Sequence, residues 1–505
     1  MNFSLLDYKK YFLSFFFGGL LSLSLPPYNF TIISFLVFPC FLYLLFCNQN
    51  KHAKSIFFIG FSFGYGYFLS NIYWITYSLN FDTNLYILKP LALIFIPSIL
   101  AVFYGLTCAI IKKFISNKIY FVVIFSVALS LADFLRGFLF TGFPWNLFVY
   151  TWSWSIETIQ VLGLIGTYSF NFLSIFVFAL PFIIFFNFSY KKLILATLIL
   201  LSILLTNFYY GSSILKQDSL KKISNFKVVV LQPDQNIDDL RDIENQENYI
   251  NRLIEVSSPG IFKNQETLFV WPEGVFYDAE ILKQYSDLFE KNFSSNHKII
   301  LGSTRHEQIE FYNSLLLLNN KAEVISSYDK IKLVPFGEFV PFHTFFEKMN
   351  LKKITFGYGS FSKGEDRHPI EIRNDIKFLP LICYEIIFSG LLDKEKKYYN
   401  FILNISEDGW FGRSIGTTQH FVHSQYRAIE QGKHVIRSSN QGISASIKPN
   451  GVIDKKTNFI SSSSLVVDIY EKNSKTLFSI HENKIFYLLI LLTSILVFSF
   501  RKINE

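Results

Sequence analysis

Seven apolar stretches crowd the first 213 residues, at about 11–26, 31–47, 55–78, 90–111, 119–136, 160–187 and 192–210. An eighth lies at 485–500, beside the C-terminus. Each is close to the ~20 residues that a helix needs to cross the hydrocarbon core of a bilayer. A segment in lipid must satisfy its own backbone donors and acceptors, so these stretches predict membrane-spanning helices. Composition agrees: charged residues make up 17% of the chain, against about 25% in a soluble globular protein. After the first stretch stands Leu25-Pro26-Pro27-Tyr28 rather than a small-residue cleavage site, which predicts a retained anchor.

Lysines set the expected orientation. Lys9 and Lys10 precede the first stretch, and Lys51 and Lys54 separate the second from the third. Lys112, Lys113 and Lys118 separate the fourth from the fifth, and Lys191 and Lys192 the sixth from the seventh. The alternate loops hold only Lys89 and Arg136 as bases. The positive-inside rule then places the N-terminus in the cytoplasm, residues 214–484 on the far side, and Arg501 and Lys502 back inside. The basic excess belongs to this apolar half, with net +7 over residues 1–213. It is not a patch on a soluble face, so a nucleic-acid partner is not expected. Gly60 and Gly64 form a GxxxG pair suited to close helix packing. Asp133, Arg136 and Glu157 mark a polar cluster near the outer ends of the fifth and sixth stretches.

The polar half reads as an α/β domain. Apolar runs of strand length recur at 227–231, 267–271, 299–302, 314–318, 378–383, 401–404 and 443–447. Helical stretches lie between them, at Asp238–Val256 and His420–Gln431, and such alternation implies a sheet covered by helices. The expected domains are a helical membrane domain over 1–213, a linker over 214–224, a catalytic domain over 225–484, and a final helix with a cytoplasmic tail over 485–505.

Three motifs end strand-like runs with chemically capable residues: Trp271-Pro272-Glu273, Tyr328-Asp329-Lys330 and Ile382-Cys383-Tyr384-Glu385. Each alone is weak. Together, in the order Glu, Lys, Cys, they point to one site. Cys383 is the only cysteine of the polar half, whereas Cys40, Cys47 and Cys108 lie in apolar stretches. A thiol needs a base to become a nucleophile, and Glu273 is the candidate. Lys330 is the candidate for the oxyanion, together with a backbone N–H after Cys383. His420 and His423 are spaced i, i+3 without a third metal ligand in sight, which favours packing or hydrogen bonding over a metal.

These residues resemble the nitrilase superfamily, and more closely its membrane-embedded branch, the apolipoprotein N-acyltransferases. The likeness rests on WPE at 271–273, YDKIKLVPFGEFVPF at 328–342, ICYE at 382–385, ISEDGWFGRSIG at 405–416 and LRGFLFTGFPW at 135–145, with the seven-plus-one spans. It implies an α-β-β-α sandwich joined to a helical membrane bundle, and a Glu273–Lys330–Cys383 triad working without cofactor or metal. The family spacing selects Lys330, eight residues before Glu338, over Lys332. Glu338, Tyr384, Glu385 and Trp410 become supporting or substrate-binding residues. The implied substrates are a phospholipid acyl donor and a diacylglyceryl apolipoprotein acceptor. The implied setting is a monomer in the bacterial inner membrane, with its catalytic domain periplasmic. Two departures stand out: Glu407 where the family usually has Asn, and no Trp between Gln232 and Asn251. A membrane-anchored amidase that passes its acyl group to water would share the triad.

Overall fold

Strand β2 (Lys227–Gln232) shows how the polar half is built. Successive side chains on a strand face opposite ways. Val228 and Val230 join one apolar core, and Val229 and Leu231 join another. A strand buried on both faces must lie between two covering layers. The computed structural model describes all residues except 1–4, 116–117, 186–189, 218, 237–245, 342–359, 391, 393–396, 460 and 505. It divides into two compact units, one of residues 1–76, 86–217 and 476–505, the other of residues 77–85 and 218–475.

The second unit holds two six-stranded sheets. The first runs β13 (Ser463–Val467), β2, β3 (Thr267–Val270), β4 (His297–Glu307), β5 (Glu310–Leu318), β6 (Val324–Asp329). The second runs β12 (Ile453–Lys456), β11 (Ala445–Ile447), β10 (His434–Asn440), β9 (Phe401–Glu407), β8 (Ile376–Ile382), β7 (Ile370–Arg373). At the centre of each sheet three strands pair in parallel: β2, β3 and β4 in one, β8, β9 and β10 in the other. A short ribbon pairs β1 (Leu220–Lys222) with β14 (Tyr470–Lys472).

Val228, Val230, Leu268, Val270 and Ile300 of the first sheet share a core with Phe378, Ile382, Phe401, Leu403, Ile405 and Ile436 of the second. The two sheets therefore pack face to face. The outer face of the first sheet, including Phe269, Trp271 and Ile299, is covered by helices Gln246–Ser257 and Ser286–Asn292. Helix Ile415–Gln431, almost wholly buried, packs on β10 and β11 of the second sheet. The result is the α-β-β-α sandwich that the resemblance implies. Full burial of each such Val, Leu, Ile or Phe contributes roughly 1.5–3 kcal/mol. Of the helix expected over Asp238–Val256, residues 238–245 lie outside the described residues, and the observed helix begins at Gln246.

The first unit is helical. Among the described residues, four helical segments are long and apolar enough to cross a membrane: Ala53–Phe81, Thr83–Phe114, Thr158–Ile183 and Thr197–Gln217. Shorter apolar helices run over Ile32–Cys47 and Lys484–Val497. Gly60 and Gly64 do serve close packing: a Cβ on Gly60 would sit 2.6 Å from Cys108 Sγ and 2.7 Å from the Tyr104 carbonyl oxygen. Asp133 and Arg136 form a buried ion pair at 3.0 Å. Arg136 also donates to the carbonyls of Phe143 and Asn146, which pins the loop after its helix. Asp133 accepts from Tyr104 Oη at 3.1 Å and Asn171 Nδ2 at 2.9 Å. Glu157 stands apart from this pair and accepts from Ser155 Oγ. The glycine contact leads to an expectation. Gly60→Leu should lower stability in detergent by about 1–3 kcal/mol through overpacking, read as a reduced melting temperature. An unchanged melting temperature would show that the two helices can part at this point without loss.

Candidate active site

β3 ends at Val270, and the chain then turns through Pro272 to Glu273. Its carboxylate is held on three sides. Lys330 Nζ lies 3.2 Å and Asn313 Nδ2 2.8 Å from Oε1, and the Glu407 N–H donates to Oε2 at 2.9 Å. Gly302 on β4 allows this turn to come close. A Cβ there would stand 2.6 Å from Glu273 Cα, so any side chain would push the carboxylate out of place.

Lys330 follows β6 and is 1% exposed. Its ammonium also donates to Glu338 Oε1 at 2.9 Å. Burial alone would lower its pKa, but the carboxylates of Glu273 and Glu338 outweigh burial and hold it well above the usual lysine value. Lys330 is therefore a fixed positive charge. Glu338 is itself anchored by the Val334 N–H at 2.8 Å, and Asn313 Nδ2 bridges its Oε1 to that of Glu273.

Cys383 comes immediately after β8 and opens the 3-10 turn Cys383–Ile387. Its φ is +49°. A non-glycine residue held in that left-handed region costs on the order of 1–3 kcal/mol and persists only where its surroundings enforce it. The enforcing partner is Glu385, whose carboxylate accepts from the N–H groups of Ile382, Ile331 and Lys332, from Tyr328 Oη and from Arg367 Nη2. One side chain thus ties the Cys383 turn to the Lys330 segment. Burial first, and the negative charges of Glu273 and Asp408, push the Cys383 thiol well up, while Lys330 and a hydrogen bond with Ser406 pull the other way. The net is a thiol that keeps its proton at rest, which needs a base at the moment of attack.

The remaining sequence candidates occupy distinct places. Tyr384 is buried edge-on to Phe388, with ring centroids 5.2 Å apart. Trp410 meets Phe81 edge-on at 4.9 Å. Lys332 Nζ lies over the Phe388 ring, 5.0 Å from its centroid. Glu407, in the place of the usual Asn, caps Gly409 N–H and accepts from Asn440 Nδ2 at 2.6 Å. Burial holds its carboxyl well above the ordinary value, and Glu273 and Asp408 add to the effect. His420 is engaged by Asp408, Arg437 and the Cys383 carbonyl.

Two features escaped the sequence. Asn313 begins the polar end of an apolar run, and a single Asn there carries no signal. The buried set of Ser406, Asp408, His420 and Arg437 gathers from β9, the turn after it, a helix and β10. Only the fold brings these segments together.

Comparison with known proteins finds relatives for both parts of the chain. Residues 17–180 match the apolipoprotein N-acyltransferase N-terminal domain, and residues 253–470 match the carbon-nitrogen hydrolase family. An apolipoprotein N-acyltransferase of Agrobacterium fabrum is 32% identical over 458 residues, covering 86% of this chain and 85% of the relative. One of Rhodopseudomonas palustris is 29% identical over 470 residues, covering 88% and 87%. Among solved structures, a CN-hydrolase superfamily protein of Xanthomonas campestris aligns at a TM-score of 0.36 and 15% identity, over 53% of this chain and 97% of its own. An amidase of Nesterenkonia from the nitrilase superfamily aligns at 0.34 and 13%, over 49% and 92%. With relatives matched across both its helical part and its sandwich, the chain belongs to the apolipoprotein N-acyltransferase family.

Proposed function

We propose that this protein moves a fatty acyl chain from a membrane phospholipid to the α-amino group of an N-terminal S-diacylglyceryl-cysteine on an apolipoprotein, through a thioester on Cys383. The observation that carries the reading is the left-handed Cys383, poised after β8 in a sandwich that also buries the Glu273–Lys330–Glu338 cluster. Glu273 takes the thiol proton, and the thiolate attacks the ester carbonyl carbon. Lys330 and the Tyr384 N–H meet the developing oxyanion. The carbon–oxygen bond then breaks, the leaving lysophospholipid takes the proton from Glu273, and the acyl group stays on sulfur. In the second half the acceptor amine attacks the thioester, Glu273 removes an amine proton, the carbon–sulfur bond breaks, and that proton returns to Cys383.

Glu338 and Asn313 keep Lys330 and Glu273 in register. Glu385 maintains the Cys383 turn, and Tyr384 and Trp410 shape the acyl and acceptor pocket. The lysine asymmetry supports seven spans before residue 214 and one after, both termini in the cytoplasm, and the sandwich on the periplasmic side of a bacterial inner membrane. Two membrane-anchored substrates confined to a plane beside Cys383 gain proximity.

Glu273→Gln keeps the size of the side chain but removes its basicity. Acyl-enzyme formation from labelled phospholipid should fall by about 10²–10⁴, and near-wild-type labelling would remove Glu273 from the mechanism. Cys383→Ala should take up no acyl chain, whereas the variant with Ala at Cys40, Cys47 and Cys108 should transfer acyl chains to a diacylglyceryl-cysteine peptide almost as wild type. Acylation of Cys383→Ala would mean another nucleophile, and release to water in place of transfer would favour a hydrolase. For topology, an impermeant amine reagent on intact spheroplasts should label lysines of 214–484. Protection until the membrane is opened would reverse the orientation.

A further inference from the structure

Behind Cys383 lies a buried polar assembly that the mechanism above leaves unused. Register brings it there: Ile382 of β8 pairs with Ile405 of β9, so Cys383, just past β8, comes beside Ser406 of β9. Ser406 Oγ donates to Asp408 Oδ1 at 2.8 Å. Arg437 Nη2 donates to both Asp408 oxygens, at 2.9 and 2.7 Å, and its Nη1 donates to Asn404 Oδ1. Onto this pair sits His420, fully buried on helix Ile415–Gln431. Its Nδ1 is 2.9 Å from Asp408 Oδ1 and 3.1 Å from Arg437 Nη2, so that atom finds a partner whether or not it carries a proton. The edge of Phe411 closes on the ring at 5.4 Å. With its Nδ1 side held in this way, the imidazole places Nε2 3.3 Å from the Cys383 carbonyl oxygen. A carbonyl can only accept, so this contact is a hydrogen bond in the tautomer that carries its proton on Nε2, with Nδ1 accepting from Arg437 Nη2.

That carbonyl has a particular importance. The Cys383 C=O and the Tyr384 N–H belong to one peptide unit, which is planar and, when trans, points the two groups in opposite directions. A grip on the oxygen fixes the aim of the hydrogen. We propose that His420 is a positioning residue that aims the Tyr384 N–H at the acyl oxyanion by holding the far end of the same peptide plane. Asp408 and Arg437 act one step back and hold the imidazole. This rests on the reading of Cys383 as the nucleophile and of the Tyr384 N–H as an oxyanion donor.

The test uses two amides of different reach and two reactions of different need, in full-length enzyme with Cys40, Cys47 and Cys108 changed to Ala. In His420→Gln the amide reaches the Nε2 position and can still donate to the Cys383 carbonyl. In His420→Asn it reaches only the Nδ1 position, so it keeps Asp408 and Arg437 but loses the carbonyl. Phospholipid acylation passes through an oxyanion, whereas alkylation of Cys383 by iodoacetamide does not. His420→Asn should acylate about 10–100-fold more slowly, up to the lower end of the loss seen when an oxyanion donor is removed outright. Its alkylation rate should stay within about twofold of wild type, because no oxyanion donor acts there. His420→Gln should recover most of the acylation rate. Wild-type acylation by His420→Asn, an equal fall in acylation and alkylation, or a His420→Gln slower than His420→Asn would each overturn the proposal. Acylation of Cys383→Ala in the same assay would overturn the underlying nucleophile assignment, and this inference with it.

Discussion

A lysine ammonium taken out of water between two carboxylates is the constraint on which the catalytic sandwich depends. Lys330, at 1% exposure, could not remain charged without Glu273 and Glu338. Removing one partner from a buried ionic group leaves an uncompensated charge, and typically costs about 3–5 kcal/mol. The three residues arrive from separate places: the turn after β3, the segment after β6 and the loop that follows it. Each is held by backbone donors or by a shared amide: Glu407 N–H on Glu273, Val334 N–H on Glu338, and Asn313 between them. The architecture of two face-to-face sheets supplies the dry interior in which such a cluster keeps its full electrostatic strength.

Cys383 poses a second problem, which is conformational. Its left-handed backbone would relax if left alone. Glu385 gathers five donors onto one carboxylate, among them backbone N–H groups of the Lys330 segment on one side and of the end of β8 on the other. The strained turn at the nucleophile and the backbone just after Lys330 are thus tied together by one buried side chain. On the opposite side, the Asp408–Arg437 pair and His420 occupy what would otherwise be an apolar core between β9, β10 and helix Ile415–Gln431. Asp408 is held ionised there, because Arg437 and His420 outweigh the desolvation that burial imposes.

The helical unit uses the same economy in another medium. Helices gain little from hydrophobic contact where the surroundings are equally apolar, so small residues and internal hydrogen bonds hold them together. Gly60 and Gly64 let the third helix approach Tyr104 and Cys108, and Asp133 with Arg136 fastens the loop that follows their helix. The GxxxG pair and the Asp133–Arg136 part of the polar cluster are thus explained by packing.

The sequence by itself determined the broad organisation, because its signals are local. Apolar length predicts helices, and apolar runs at 227–231, 267–271, 314–318, 378–383 and 401–404 all coincide with strands. The Glu, Lys and Cys motifs were legible because each closes or follows a recognisable run. Strand β10, His434–Asn440, left almost no trace: it is wholly buried yet carries His434, Arg437 and Asn440, since its polar side chains are satisfied by distant partners. Only the tertiary structure decided that Asn313 bridges two carboxylates, that Glu385 braces the Cys383 turn, and that His420 reaches the Cys383 carbonyl from 37 residues away. Those contacts depend on register and on which strands lie side by side. These are properties of the assembled sheets, and no local pattern of residue types encodes them.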